Sequence, residues 1–200
     1  MNIVIINTGF SNLSSIYWAI KRLGYNPIIS FEPNVIRNAK KLILPGLGTP
    51  EFVMKYLEKK KIVNIIQKYE RPILGICLGM QLFFCYSEES ENIRMLNIFN
   101  KNNIYKLHTI RSSLPHIGWN KVYFKQENPL FKNISSGEWF YFIHSYAADI
   151  NVMTISKTFY EKFFSSAVQY KNFFGVQFHP EKSGFSGMLL LKNFLEIKIL

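Results

Sequence analysis

Cysteine is scarce in this chain, two in 200 residues, and that scarcity excludes the disulfide framework of a small secreted fold. Cys77 and Cys85 stand at a spacing that is neither C-x-x-C nor a zinc pattern, so no metal site is expected and nothing asks for a cofactor. Long apolar runs are missing too, none nearing the roughly eighteen residues of a membrane span. The strand-like Ile3 to Ile6 begins at once, without a signal peptide's basic region. A soluble, cytoplasmic protein is the expectation, with no membrane attachment. Acidic residues are few, 13 against 24 Lys and Arg, which leaves a net charge of +11. That excess could serve nucleic acid, yet no basic helix interleaved with aromatics appears, and Lys59-Lys60-Lys61 reads as a solvated helix end. No nucleic acid is expected, while docking on an acidic protein partner stays open. With no linker, repeat or low-complexity tract, and with 48% hydrophobic residues, the chain reads as one domain over 1–200.

What is present has a clear rhythm. Ile3 to Ile6 reads as a buried strand, and Leu13, Ile16, Tyr17, Ile20 and Leu23 follow at helical spacing up to Gly24. Pro27 to Ser30 and Lys41 to Leu44 read as further strands. Thr49 fits an N-cap with Pro50 at the first helical position, followed by a second helix over Ile62 to Tyr69. Strands alternating with helices imply an open, mostly parallel sheet with helices on both faces and ligands at the carboxyl ends of its strands. After about residue 103 the pattern turns to short strands, Val122 to Phe124, Trp139 to Ile143, Ala167 to Tyr170 and Phe173 to Gln177. These predict antiparallel strands added in the C-terminal half, closed by a helix from about Gly187 to Ile197.

The chemistry gathers at two segments. Gly75-Ile76-Cys77-Leu78-Gly79-Met80-Gln81 follows the apolar Pro72-Ile73-Leu74 and places a thiol on a strand-to-helix elbow. The new helix's free N–H groups and dipole suit both a thiolate and the oxyanion formed after its attack. Taken alone, G-x-C-x-G is equally a buried cysteine on an ordinary turn. Cys85 reads as a packed core thiol on the helix after the elbow. About a hundred residues on, Gly175-Val176-Gln177-Phe178-His179-Pro180-Glu181 offers a base and its orienter. Pro180 disfavours the α region for His179, so an extended His-Pro-Glu would carry its first and third side chains on one face. Cys77, His179 and Glu181 then form a candidate catalytic relay.

Both segments, in this order and spacing, resemble the motifs of the class I, or triad-type, glutamine amidotransferases, and the likeness covers essentially the whole chain. Within that family, Leu44-Pro45-Gly46-Leu47-Gly48, Leu114-Pro115-His116-Ile117-Gly118-Trp119-Asn120 and Tyr141-Phe142-Ile143-His144-Ser145-Tyr146 resemble the bacterial glutaminase subunits of imidazole glycerol phosphate synthase. The resemblance implies glutamine hydrolysis through a Cys77 thioester. It also implies an oxyanion hole from Leu47 N–H and Leu78 N–H, and substrate contacts from Gly48, Gln81, Glu89 and the backbone at Ser145 and Tyr146. Glu89 is matched because it stands twelve residues after Cys77; as bare sequence, Glu88, Glu89 and Glu91 look like a solvated acidic loop. The implied partner is a cyclase subunit, a (β/α)₈ barrel bound as a heterodimer and fed with ammonia, with Asn12, Trp119 and Lys182 at or near the interface. Trp119 is equally compatible with core packing. The opening Asn7-Thr8-Gly9-Phe10-Ser11-Asn12 departs from the family's usual Asp-Tyr-Gly-x-Gly-Asn, keeping Gly9 and Asn12.

Other readings share these residues. The same triad serves other synthases, such as those making anthranilate or aminodeoxychorismate. A cysteine peptidase on the same elbow, or a docking module that has kept the fold, are the rivals from other classes.

Overall fold

The computed structural model describes residues 2–9, 13–91, 93–100, 102–125 and 128–198. Asn12, expected at a partner interface, lies outside them, as do Phe10 and Ser11. The N-terminal half runs β1 (Ile3–Ile6), α1 (Ser14–Arg22), β2 (Pro27–Ser30), α2 (Pro33–Arg37), β3 (Lys41–Leu44), α3 (Pro50–Lys59), α4 (Val63–Gln67), β4 (Ile73–Ile76) and α5 (Leu78–Gln81). The C-terminal half adds β5 (Ile104–Lys106), β6 (His116–Phe124), β7 (Glu138–His144), β8 (Tyr146–Ala148), β9 (Thr154–Tyr160), β10 (Lys162–Tyr170), β11 (Phe173–Val176) and α6 (Gly184–Glu196). Short 3₁₀ turns cover Pro129–Phe131 and Pro180–Lys182.

Along the sheet the strand order is β2-β1-β3-β4-β11-β10-β9-β6-β7, with β8 on β10 and β5 on β8. Strands β2, β1, β3, β4 and β11 pair in parallel, and the antiparallel extension begins where β10 joins β11. Alternation along β1 explains the layering: Ile3 and Ile5 belong to one buried cluster with α1 and α6, Val4 and Ile6 to another with α2, α3 and α4. Apolar on both faces, such strands are stable only between two helical layers.

The expected caps are present. The Thr49 hydroxyl accepts a hydrogen bond from Phe52 N–H with Pro50 opening α3, and Gly24 closes α1 at φ +86°, a backbone region open to glycine without penalty. Other bounds move: the helix expected over Ile62 to Tyr69 is Val63–Gln67, and β6 begins at His116, six residues before the expected Val122. Cys85 is a correction. It is neither on a helix nor fully buried, because α5 ends at Gln81 and the following N–H groups of Phe83 and Phe84 bond three residues back. The chain turns away, and Cys85 instead exchanges backbone bonds with Asn102 and Met95. Among the described residues no helix is long and apolar enough to cross a membrane.

Candidate active site

Parallel pairing of β4 with β11 brings the two motifs side by side. Gly75 and Val176 sit one step apart on adjacent strands, and Cys77 N–H donates to the Val176 carbonyl at 2.7 Å. Immediately past β4 the chain reverses at Cys77, whose φ of 53° and ψ of −114° are unusual for any residue with a Cβ and cost roughly 1–3 kcal/mol. The turn is held by what surrounds it. Cys77 is the N-cap of α5, and its carbonyl accepts from Met80 and Gln81 N–H. A Cβ at Gly79 would collide with the Leu44 carbonyl, and one at Gly46 with Leu78 N. Bare backbone therefore lets residues 45–48, just after β3, lie against the elbow, so that Leu47 lines the same cavity as Cys77.

His179 keeps the expected extended conformation, φ −101° and ψ 94°. Pro180, however, opens a 3₁₀ turn rather than continuing a strand, so His179 and Glu181 do not meet by strand alternation. The tight turn folds the carboxylate back, and His179 Nδ1 lies 2.8 Å from Glu181 Oε1 with both side chains buried. The other nitrogen, Nε2, has no partner within hydrogen-bond distance and angle among the described residues, and the Cys77 S–H is directed at the Ile143 carbonyl, 3.7 Å away. Burial depresses the His179 pKa, but the neighbouring Cys77 sulfur and Glu181 carboxylate outweigh it and raise the ring to about 10. A charged imidazole beside a sulfur favours the thiolate.

A cavity of about 320 Å³ opens over this centre. Cys77, Leu78 and His179 line it from one side and Gly46, Leu47 and Gly48 from another, and Glu181 stands behind the ring. Gln81, Glu89, Ser145 and Tyr146 complete the wall together with Pro115, Ile143, His144 and Lys182. Sequence alone could not choose among the glutamates. Glu88 is committed elsewhere, accepting from Lys106 N–H at 2.7 Å, whereas Glu89 faces the cavity with its pKa raised by burial. No cation among the described residues pairs with it.

Lys182 both lines the cavity and lies over the Tyr141 ring, 5.7 Å from its centroid. Trp119 is outside the cavity and 52% exposed, which sets aside core packing for it. On the outer face of the β6–β7 ribbon it lies edge-on to Tyr141, beside exposed Ile117, Trp139 and Ile143. Such a cluster of exposed aromatic and branched side chains is what a protein interface presents.

Three polar groups at the site escaped the sequence reading. Gln177 Nε2 donates to Cys77 Sγ at 3.6 Å, and His144 and His116 are buried together with His116 Nδ1 and His144 Nε2 3.1 Å apart. For Gln177 a signal existed, since it stands two residues before His179 on a segment leaving a strand. Nothing in the sequence joins His116 to His144, because strand register alone sets them opposite each other.

The model for the family described as glutamine amidotransferase class-I matches residues 4–197. Two proteins named imidazole glycerol phosphate synthase subunit HisH, from Buchnera aphidicola of Acyrthosiphon pisum and of Schizaphis graminum, are 53% and 50% identical to the chain. Each match covers 98% of this chain and the whole of the relative. A crystal structure of a glutamine amidotransferase from Thermotoga maritima superimposes with a TM-score of 0.66 at 18% identity, over 98% of this chain and 81% of that one.

Proposed function

The chain belongs to the class I glutamine amidotransferases, and on that premise we propose that it is the glutaminase subunit of imidazole glycerol phosphate synthase, acting in histidine biosynthesis in the cytoplasm as a single glutamine amidotransferase domain. Identity of about half along the full length to HisH proteins favours this synthase over others that use the same triad. The observation that carries the reading is the convergence of Cys77, the His179–Glu181 pair and Glu89 on one cavity of a size suited to an amino acid.

Glutamine enters with its ammonium against Glu89 and its carboxylate against the backbone at Ser145 and Tyr146, while Gly48 and Gln81 border its side chain. The Cys77 thiolate attacks the side-chain amide carbon, and the oxyanion is held by Leu78 N–H and Leu47 N–H. Each such donor is worth about 2.7–4 kcal/mol to the transition state. His179, charged and fixed by Glu181, gives its proton to the departing nitrogen, and ammonia leaves a γ-glutamyl thioester. The neutral ring then takes a proton from water, whose oxygen attacks the thioester and releases glutamate.

Ammonia is a nucleophile only while unprotonated, so it must pass to its acceptor without meeting bulk water. The name subunit carried by the relatives implies a partner. That partner is the cyclase subunit, a (β/α)₈ barrel in a heterodimer, which uses ammonia to form imidazole glycerol phosphate and AICAR. Exposed Trp119, outside the cavity, and Lys182, at its edge, form the docking face, to which Asn12 is added on its sequence match alone. Leu47 stands between two glycines, Gly48 at φ +92°, and rotation of this peptide on docking would switch its N–H toward the oxyanion.

Cys77→Ala tests the reading. The variant complex should lose glutamate release from glutamine and retain cyclisation with added ammonia; glutamine hydrolysis at the wild-type rate would refute it.

A further inference from the structure

Behind Cys77 runs a line of hydrogen bonds whose direction is forced at every step. The Tyr146 carbonyl can only accept, and it takes one bond from Gln81 Nε2 at 2.8 Å and one from His144 Nδ1 at 2.9 Å. The Gln81 amide is thereby oriented, and its second N–H donates to Gln177 Oε1 at 2.9 Å. With its oxygen occupied in this way, Gln177 presents its nitrogen to the Cys77 sulfur at 3.6 Å. A flip of the Gln177 amide would set two NH₂ groups against each other and an oxygen lone pair against the sulfur.

The other arm is equally determined. His144 carries its hydrogen on Nδ1, so its Nε2 is bare and accepts from His116 Nδ1 at 3.1 Å. His116 Nε2 accepts in turn from Asn120 Nδ2 at 3.2 Å, and the remaining Asn120 N–H goes to the Phe159 carbonyl at 3.0 Å. Gln177 is fully buried and Gln81 is 3% exposed, so neither amide can turn to water instead.

We propose that Gln177 is a further catalytic residue: its side-chain N–H donates to the Cys77 sulfur and stabilises the thiolate, and Gln81 and the Tyr146 carbonyl hold it in the donating orientation. As a thiol, Cys77 gives its hydrogen to the Ile143 carbonyl; as a thiolate it has nothing to give there and needs donors. Gln177 supplies one from inside the protein, opposite the face that the substrate occupies. The inference rests on the reading of Cys77 as the nucleophile, and it adds a residue that the triad and the oxyanion donors do not include.

The experiment is the pH dependence of iodoacetamide alkylation at Cys77 in the full chain, read on its own peptide by mass spectrometry so that Cys85 does not interfere. Gln177→Met keeps length and burial and removes the donor, and it should raise the midpoint of alkylation by about one pH unit. Gln177→Glu, which sets a carboxylate against the sulfur, should raise it further. A wild-type midpoint in either folded variant overturns the proposal. Should neither variant fold, the wild-type protein decides: the Gln177 side-chain amide resonances should shift in step with Cys77 ionisation, and resonances that ignore it overturn the proposal equally. Alkylation reads the sulfur without glutamine. A wild-type complex that releases no glutamate therefore refutes the glutaminase reading, while an unmoved midpoint refutes only the role of Gln177.

Discussion

His179 Nδ1 and Glu181 Oε1 are 2.8 Å apart across a single 3₁₀ turn, in side chains 9% and 5% exposed. That pairing leaves Nε2 as the nitrogen facing Cys77 and, together with the sulfur, keeps the ring charged well above neutrality. Glu181→Gln removes the charge and leaves the shape. We expect kcat for glutamate release to fall roughly 10²-fold or more, and the alkaline limb of its pH profile to move down by about one to two pH units. The pair also contributes to stability. Because the folded pKa is raised from 6.5 to about 10, that contribution is complete below pH 6.5 and fades as pH rises through about 10. A variant with the wild-type profile in the complex would separate Glu181 from the chemistry.

The buried histidine pair gives stability the opposite dependence on pH. His116, stacked between Phe142 and Tyr160, is held neutral by burial with its pKa lowered from 6.5 to about 4. His144 is lowered to about 3, by burial first and then by His116 and His179, against the bond to the Tyr146 carbonyl. Unfolded, both bind protons near pH 6.5, so below that pH the unfolded chain holds more of them. Stability from this source is complete above pH 6.5 and is lost as pH falls through about 4, at up to about 1.4 kcal/mol per pH unit for each ring. Urea midpoints between pH 7 and 4.5 should fall less steeply for His116→Phe than for the wild type; equal slopes would contradict it.

Glu89 has its carboxylate pKa pushed upward by burial and, among the described residues, no cation paired with it. Glu89→Gln should raise KM for glutamine by roughly tenfold to a hundredfold, the worth of one hydrogen bond to a charged group. Because the ammonium lies far from the reacting carbon, kcat should change much less. Glu88→Gln serves as the comparison, since Glu88 is tied to Lys106 N–H. A larger effect on KM at Glu88 than at Glu89 would reverse the assignment.

Much of the fold could be read directly. β1, β2 and β3 coincide with the expected runs because they are short, apolar on both faces and bounded by turn residues. The antiparallel half was less legible. β9, Thr154–Tyr160, mixes polar and aromatic residues without a clean alternation, and its pairing with β10 shifts register, so no period marks it. Cys85 was misplaced for a related reason. The apolar spacing after the elbow suits a helix, but α5 stops after one turn when its backbone partners change.

Local sequence determined the elbow at Cys77, the extended His179 before Pro180 and the alternating strands, since each depends on glycine, proline or periodicity within a few residues. Tertiary structure decided the rest. The parallel pairing of β4 with β11 set a thiol and an imidazole, about a hundred positions apart in the chain, at the same end of the sheet. The register of β6 against β7 put His116 opposite His144, and the close passage of Gly46 over Leu78 brought Leu47 to the cavity. Such meetings are set by strand order and packing distance, which no window of local sequence contains.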